Sequence, residues 1–223
     1  HQGKGAGIPG EHSKNVVSAV EMLRGIGDGD MPDFHGKRVV VIGGGNVAMD
    51  AARCALRCGA AVTIVYRRGR EELPARAEEV EHAEEEGVVF RLLTNPVEIL
   101  GDENGFVAGI RCDTMVLGEP DESGRRRPEV LPNAQFTLPC DAVIMAIGTT
   151  PNPLLHRTTP RLDADRLGRL LTAEKSCRTT MPAVFAGGDA VTGAATVILA
   201  MGAGRQAAKE IDEYLSGEAV AWD

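Results

Sequence analysis

Apolar residues along this chain fall into short runs that change period as they go. Ser13 precedes Val16, Val17, Val20 and Leu23, which share one face at helical spacing, so a helix capped by Ser13 is expected there. Arg38–Ile42 is an unbroken apolar run after its first residue, as a parallel strand buried on both faces requires. From Asn46 the period becomes helical. Val47, Ala48, Ala51, Ala52, Ala55 and Leu56 line one side, Asp50, Arg53 and Arg57 the other, and Gly59 ends the helix. A second strand is expected at residues 61–66, followed by a surface helix with a thin stripe of Ala77, Val80 and Ala83 ahead of Gly87. Four β-type runs follow at 88–93, 97–100, 107–114 and 135–138, broken by GDENG and GEPDESGRRRP. They predict a β-meander with Arg125, Arg126 and Arg127 on its loop. Residues 141–147 form a further buried strand, and GTTPNP after it marks a domain boundary. A short strand at 183–186 and a helix from about Ala195 complete the pattern.

Composition narrows the class. With 43% hydrophobic residues and 27 glycines among 223, the chain suits an α/β protein with tight nucleotide turns. A net charge of −8 argues against a nucleic-acid partner and against docking on anionic lipid. The five cysteines (54, 58, 112, 140 and 177) are odd in number and contain no C-x-x-C, so neither a disulphide framework nor a zinc or iron–sulfur ligand set is expected. Residues 194–203, the longest apolar stretch, are too short to span a bilayer, and no signal-peptide pattern is recognisable. A cytoplasmic protein is expected. The glutamates of ARAEEVEHAEEEG include a Glu78–His82 pair at ligand spacing, but a Glu-rich run reads as a solvated helix face, and no metal is expected.

Chemistry enters with VVVIGGGNVAMDAARCALRCGAAVTIVYRR, residues 39–68. Gly43, Gly45 and Ala48 give G-x-G-x-x-A between a strand and a helix, with Gly44, Asn46 and Val47 completing the turn. The first glycine permits the turn, the second lets backbone N–H groups reach a pyrophosphate, and the small third residue lets helix pack on strand. At the end of the second strand, where a ribose-reading acid is expected, stand Arg67 and Arg68. Guanidinium forks pair with phosphate oxygens, so the implied ligand is NADP(H). The plainer reading makes both arginines surface charges, and Arg70 beside them favours an anion pocket instead.

A second nucleotide signal is TTMPAVFAGGDAVTGAATVILAMGAGRQAA, where Gly187, Gly188 and Asp189 precede a helix rich in small residues. With VIMAIGTTPNP, IPGE and the VYRR module, this stretch resembles the two-dinucleotide-binding-domain flavoproteins, most closely the small (beta) subunits of NADPH-dependent glutamate synthase and their homologues. The resemblance covers essentially the whole chain. It implies an α/β fold: a Rossmann-like NAD(P)-binding domain of parallel sheet plus β-meander, with a partial second FAD/NAD(P)-binding domain. The expected boundaries are 1–30 for a linker and helix from the FAD side, 31–150 for the NADPH domain and 151–223 for the C-terminal part of the FAD domain. It further implies that Gly188 and Asp189 hold the ribityl-phosphate region of FAD, that Thr196 and Val197 lie beside the flavin ring, and that Ala146 and Gly148 adjoin the nicotinamide. Family members carry an iron–sulfur domain and a first FAD-binding turn that this chain lacks, so FAD is expected in the full-length protein and not retained here. A large glutamate synthase-type or other redox partner subunit is implied, and a homo-oligomer is open. Hydride transfer needs no side-chain acid or base, and no catalytic residue is assigned. The alternative is an NADP(H)-binding module without turnover.

Overall fold

The computed structural model describes residues 2–121 and 124–217. The chain divides into two compact units, Gly3–Gly148 and a second from Thr149 onward. Two positions of the turn GEPDESGRRRP and residues 218–223 of the expected C-terminal segment lie outside the described residues. In chain order the strands are β1 (Gln2–Gly3), β2 (Val16–Ser18), β3 (Arg38–Ile42), β4 (Ala61–Val65), β5 (Val89–Arg91), β6 (Thr94–Gly101), β7 (Val107–Pro120), β8 (Arg126–Pro139), β9 (Ala142–Met145) and β10 (Thr149–Thr150). The helices are α1 (Ala19–Gly27), α2 (Asn46–Arg57), α3 (Ala77–Glu85), α4 (Leu154–Thr158), α5 (Asp189–Thr192) and α6 (Val197–Leu215).

The fold is α/β, a parallel sheet in the order β2-β9-β3-β4-β5 with an antiparallel meander β6-β7-β8. Alternation along β3 explains its unbroken apolar run. Val39 and Val41 enter a core with Ala48, Ala52 and Val80 of the helices, whereas Val40 and Ile42 enter another with Ile99, Ile110 and Cys112 of the meander. Both faces of the sheet are therefore covered. Helix α2 meets it through Ala48, Met49, Ala51, Ala52 and Ala55, all fully buried, and the alanines bring the helix axis close to the strands. Gly59 then turns the chain at φ 91°, where a Cβ would lie 2.9 Å from His35 Nδ1.

Residues 16–18 depart from the expected helix. They form edge strand β2, paired in parallel with Val143, Ile144 and Met145. β-Branched Val16 and Val17 fit a pleated edge, and the positive φ of Asn15 (70°) breaks any helix from Ser13. Ser18 occupies the N-cap of α1 instead. Residues within the segment assigned by sequence to the FAD side thus supply a strand and a helix to the parallel sheet. The meander strands are also longer than expected, 14 residues each in β7 and β8, and Arg126 opens β8 rather than sitting in a loop. Residues 183–186 form no strand. Ala183 has φ 63°, outside the β region, and Phe185 makes an isolated bridge to Arg178.

In the second unit, Glu210 of α6 is 8% exposed and pins the preceding loop. Its Oε2 accepts from Ser176 Oγ at 2.6 Å and from Cys177 N at 2.9 Å. At the start of the sheet in the first unit, Arg38 donates from N and Nε to Asp141 Oδ2 (2.8 and 3.0 Å) and from Nη2 to Oδ1 (2.7 Å). These bonds hold the Asp141 carboxyl down to about 2, well below the usual carboxylate range. The folded value lies under the unfolded one, so the associated stability is full above the unfolded pKa of roughly 3.9 and disappears as pH falls through about 2. Thermal melts between pH 5 and pH 2, run in roughly half-unit steps, should show Asp141→Asn losing less stability over that window than the unaltered chain.

Candidate dinucleotide-binding site

The sheet changes direction at β3. From there the chain builds β4 and β5 on one side and returns as β9 on the other, so the loops after β3 and β9 flank the crevice where open α/β sheets bind ligands. These loops touch closely. Gly43 has φ 141°, and a Cβ there would lie 2.3 Å from the Ala146 carbonyl oxygen. Ala146 N in turn donates to Ile42 O at 2.8 Å, so Ala146 backs the glycine turn. Gly148, at φ 98°, accepts from Lys4 N at 3.0 Å.

Each glycine of the turn has a different neighbourhood. A Cβ on Gly44 would stand 2.8 Å from Leu73 Cδ2 and from Tyr66 Cδ2, so protein packing already favours glycine there. Gly45 is the opposite case. Its φ of −91° and ψ of 175° suit any residue, and a Cβ would meet nothing within 4 Å. No protein atom within 4 Å of such a Cβ accounts for glycine at this position. The N–H groups of Asn46 and Val47 precede the intrahelical ladder of α2 and sit at its positive end, and the first turn carries no acidic residue. Ala48, fully buried, is the small residue that seats this end of the helix.

Residues 69–76 fold over the turn, a feature not read from the sequence. Ala75 N donates to Gly44 O at 3.1 Å, and Arg76 N donates to Asn46 Oδ1 at 2.9 Å. Tyr66 Oη reaches back to Glu72 O at 2.8 Å. The available signal was REELPAR, with Pro74 interrupting what would otherwise read as one helix from strand end to Gly87.

The arginines diverge. Arg67 is exposed, with no ion-pair partner among the described residues. Arg68 is 7% exposed, and its Nη2 meets Asp121 Oδ2 at 2.5 Å while Nε donates to Arg126 O at 2.9 Å. Arg70 forms a two-point pair with Glu84 at 2.5 and 2.7 Å, which holds the Glu84 carboxyl below its ordinary value. Arg68 and Arg70 are thus both engaged with carboxylates of the chain, whereas Arg67 has no such partner among the described residues. Other α3-side glutamates are also engaged, Glu79 and Glu86 with Arg53 of α2.

In the second unit the Gly187–Gly188 turn lies against α6. A Cβ on Gly187 would be 3.2 Å from Ala203 Cβ, and one on Gly188, at φ 63°, 3.5 Å from Ala200. Asp189 opens the short helix α5, and Thr196 caps α6 by accepting from Leu199 N at 3.4 Å. Val197 and Ile198 in the first turn of α6 are 75% and 80% exposed.

A glycine turn between a buried parallel strand and an alanine-faced helix, at the switch point of the sheet, defines a dinucleotide-binding α/β module. The chain belongs to the pyridine nucleotide-disulphide oxidoreductase family, whose model matches residues 2–207. It is 44% identical over 218 residues to the NADP(+)-dependent formate dehydrogenase subunit beta of Moorella thermoacetica, covering 96% of this chain and 30% of that protein. To the glutamate synthase [NADPH] small chain of Escherichia coli (strain K12) it is 38% identical over 229 residues, covering 96% of this chain and 48% of the other. The chain thus spans about a third to a half of these relatives. Mycobacterium tuberculosis FprA in complex with NADPH shares the fold, with a TM-score of 0.75 at 20% identity over 100% of this chain and 64% of that one. Among the described residues no helix is long and apolar enough to cross a membrane.

Proposed function

We propose that this protein is the NADPH-oxidising module of a flavoprotein oxidoreductase of the glutamate synthase small-subunit type. The observation that carries the reading is Gly45, a glycine that faces open space at the N-terminus of α2 where backbone N–H groups await an anion. Residues 43–48 cradle the pyrophosphate, and Arg67 meets the adenosine 2′-phosphate. Ala146 and Gly148 border the nicotinamide side. In the second unit, Gly188 and Asp189 hold the ribityl-phosphate region of FAD, and Thr196 and Val197 stand beside its ring. When both cofactors are bound, they supply hydride transfer from NADPH to FAD, with electrons passing on to iron–sulfur clusters or a larger partner subunit. The chain's own work is to bind the two cofactors.

Calorimetric titration with NADPH, NADH and FAD, together with a visible spectrum and an assay with an artificial electron acceptor, tests this. NADPH should bind more tightly than NADH. Equal affinities would remove the NADP assignment, and no affinity for either would remove the dinucleotide reading. Nucleotide binding without turnover, even with added FAD, would favour a binding module.

A further inference from the structure

Beside the glycine turn lies a charge cluster that the proposed function does not use. Glu72 is 5% exposed, and its Oε1 accepts from Arg126 Nε at 2.7 Å. Arg126 also supplies the carbonyl that Arg68 Nε reaches, and Arg68 continues to Asp121 at the far end of β7. Gly69 allows the approach, since a Cβ there would stand 2.8 Å from Glu72 Oε2 and 3.2 Å from Leu117 Cδ1. The cluster joins two places that share no backbone pairing among the described residues: the end of the β7–β8 hairpin and the segment 69–76 that covers the glycine turn. Its cost is visible in Glu72 Oε2, which is buried without a hydrogen-bond partner. A buried carboxylate oxygen left unsatisfied makes a poor stabiliser, so the pairing is better explained by what it positions.

We infer that Arg68, Glu72, Asp121 and Arg126 are positioning residues for the nucleotide: by clamping residues 69–76 to the hairpin, they set the shape of the phosphate turn at Gly44 and Asn46. The coupling path is short. Glu72 lies within the covering segment, Leu73 packs over Gly44, and the amides of Ala75 and Arg76 bond to Gly44 O and Asn46 Oδ1. None of the four charges needs to touch the ligand. Their effect falls on the pyrophosphate cradle, which NADPH and NADH share, and leaves the discrimination between the two nucleotides unchanged. This inference rests on the nucleotide reading above.

The test uses the full chain with three changes: Arg126→Gln, the double change Glu72→Leu with Arg126→Leu, and the exchanged pair Glu72→Arg with Arg126→Glu. The double change removes both charges without stranding either. Glu71→Gln is the control, since Glu71 is 87% exposed and only 3.5 Å from Arg126 Nη2. In the first two variants, NADPH and NADH should both weaken by the same factor, roughly 3- to 30-fold for coupling of this kind. Amide exchange at Ala75 and Arg76 should speed up while that at Val40 and Ile64 stays slow. The exchanged pair should recover both readouts. Unchanged affinities would overturn the inference, as would weakening of NADPH alone, which would mean direct contact with the 2′-phosphate. Faster exchange throughout the sheet would overturn it in favour of simple destabilisation. If the unaltered chain binds neither nucleotide, the nucleotide reading fails first, and exchange at Ala75 and Arg76 still decides whether the clamp exists.

Discussion

Gly45→Val should fold normally and lose nucleotide binding. The backbone at Gly45 is already extended and a Cβ there would meet no protein atom within 4 Å, so the only stability cost expected is the modest one of valine at a helix N-cap. The space that side chain would enter is where a pyrophosphate would meet the first-turn N–H groups of α2. Losing two or more charge-assisted hydrogen bonds, each worth about 1.5–3 kcal/mol, should weaken binding at least roughly a hundredfold. Gly43→Ala is the informative contrast. Its φ is 141°, and the added Cβ would stand 2.3 Å from the Ala146 oxygen, so that change should disrupt the loop pair itself. Circular dichroism, thermal melts and calorimetry on both variants separate the two roles. A folded Gly45→Val protein that retains nucleotide affinity would show that the anion binds elsewhere.

Arg67→Ala and Arg68→Ala should fail in different ways. Arg67 is exposed and unengaged among the described residues, so its removal should leave the melting temperature nearly unchanged and reduce NADPH affinity about tenfold or more, with NADH unaffected. Arg68 is buried against Asp121 and the Arg126 carbonyl. Its removal breaks the ion pair with Asp121 and the bond to the Arg126 carbonyl and should cost about 2 kcal/mol of stability. Any loss of affinity in that variant should be shared by both nucleotides. Equal selectivity loss in the two variants would mean that both guanidinium groups contact the phosphate.

Much of the fold was legible in the residues, and the exceptions have physical causes. The β3–α2–β4 unit reads directly because burial on both faces demands an unbroken apolar run and the alanine face of α2 repeats at helical spacing. Val16 and Val17 misled because three residues at a sheet edge carry too little pattern to outweigh helical spacing downstream, and their pairing with Val143 and Ile144 is a tertiary fact. The glycine turn was readable from spacing, but the distinct role of each glycine depends on Ala146, Leu73 and Tyr66, which are remote in sequence or hidden in a loop. Arg67 and Arg68 look equivalent in the chain. The arrival of Asp121 and the Arg126 carbonyl, more than fifty residues later, separates them.

Anyone wishing to redesign the cofactor preference would have to leave the alanine face of α2 alone. With Ala48, Ala51, Ala52 and Ala55 fully buried against the strands, the floor beneath the phosphate turn has no slack. Larger side chains there would lift the helix and misalign every amide above it. Useful variation is confined to the rim just past β4, where exposed residue 67 can change charge without disturbing the packing that supports the turn.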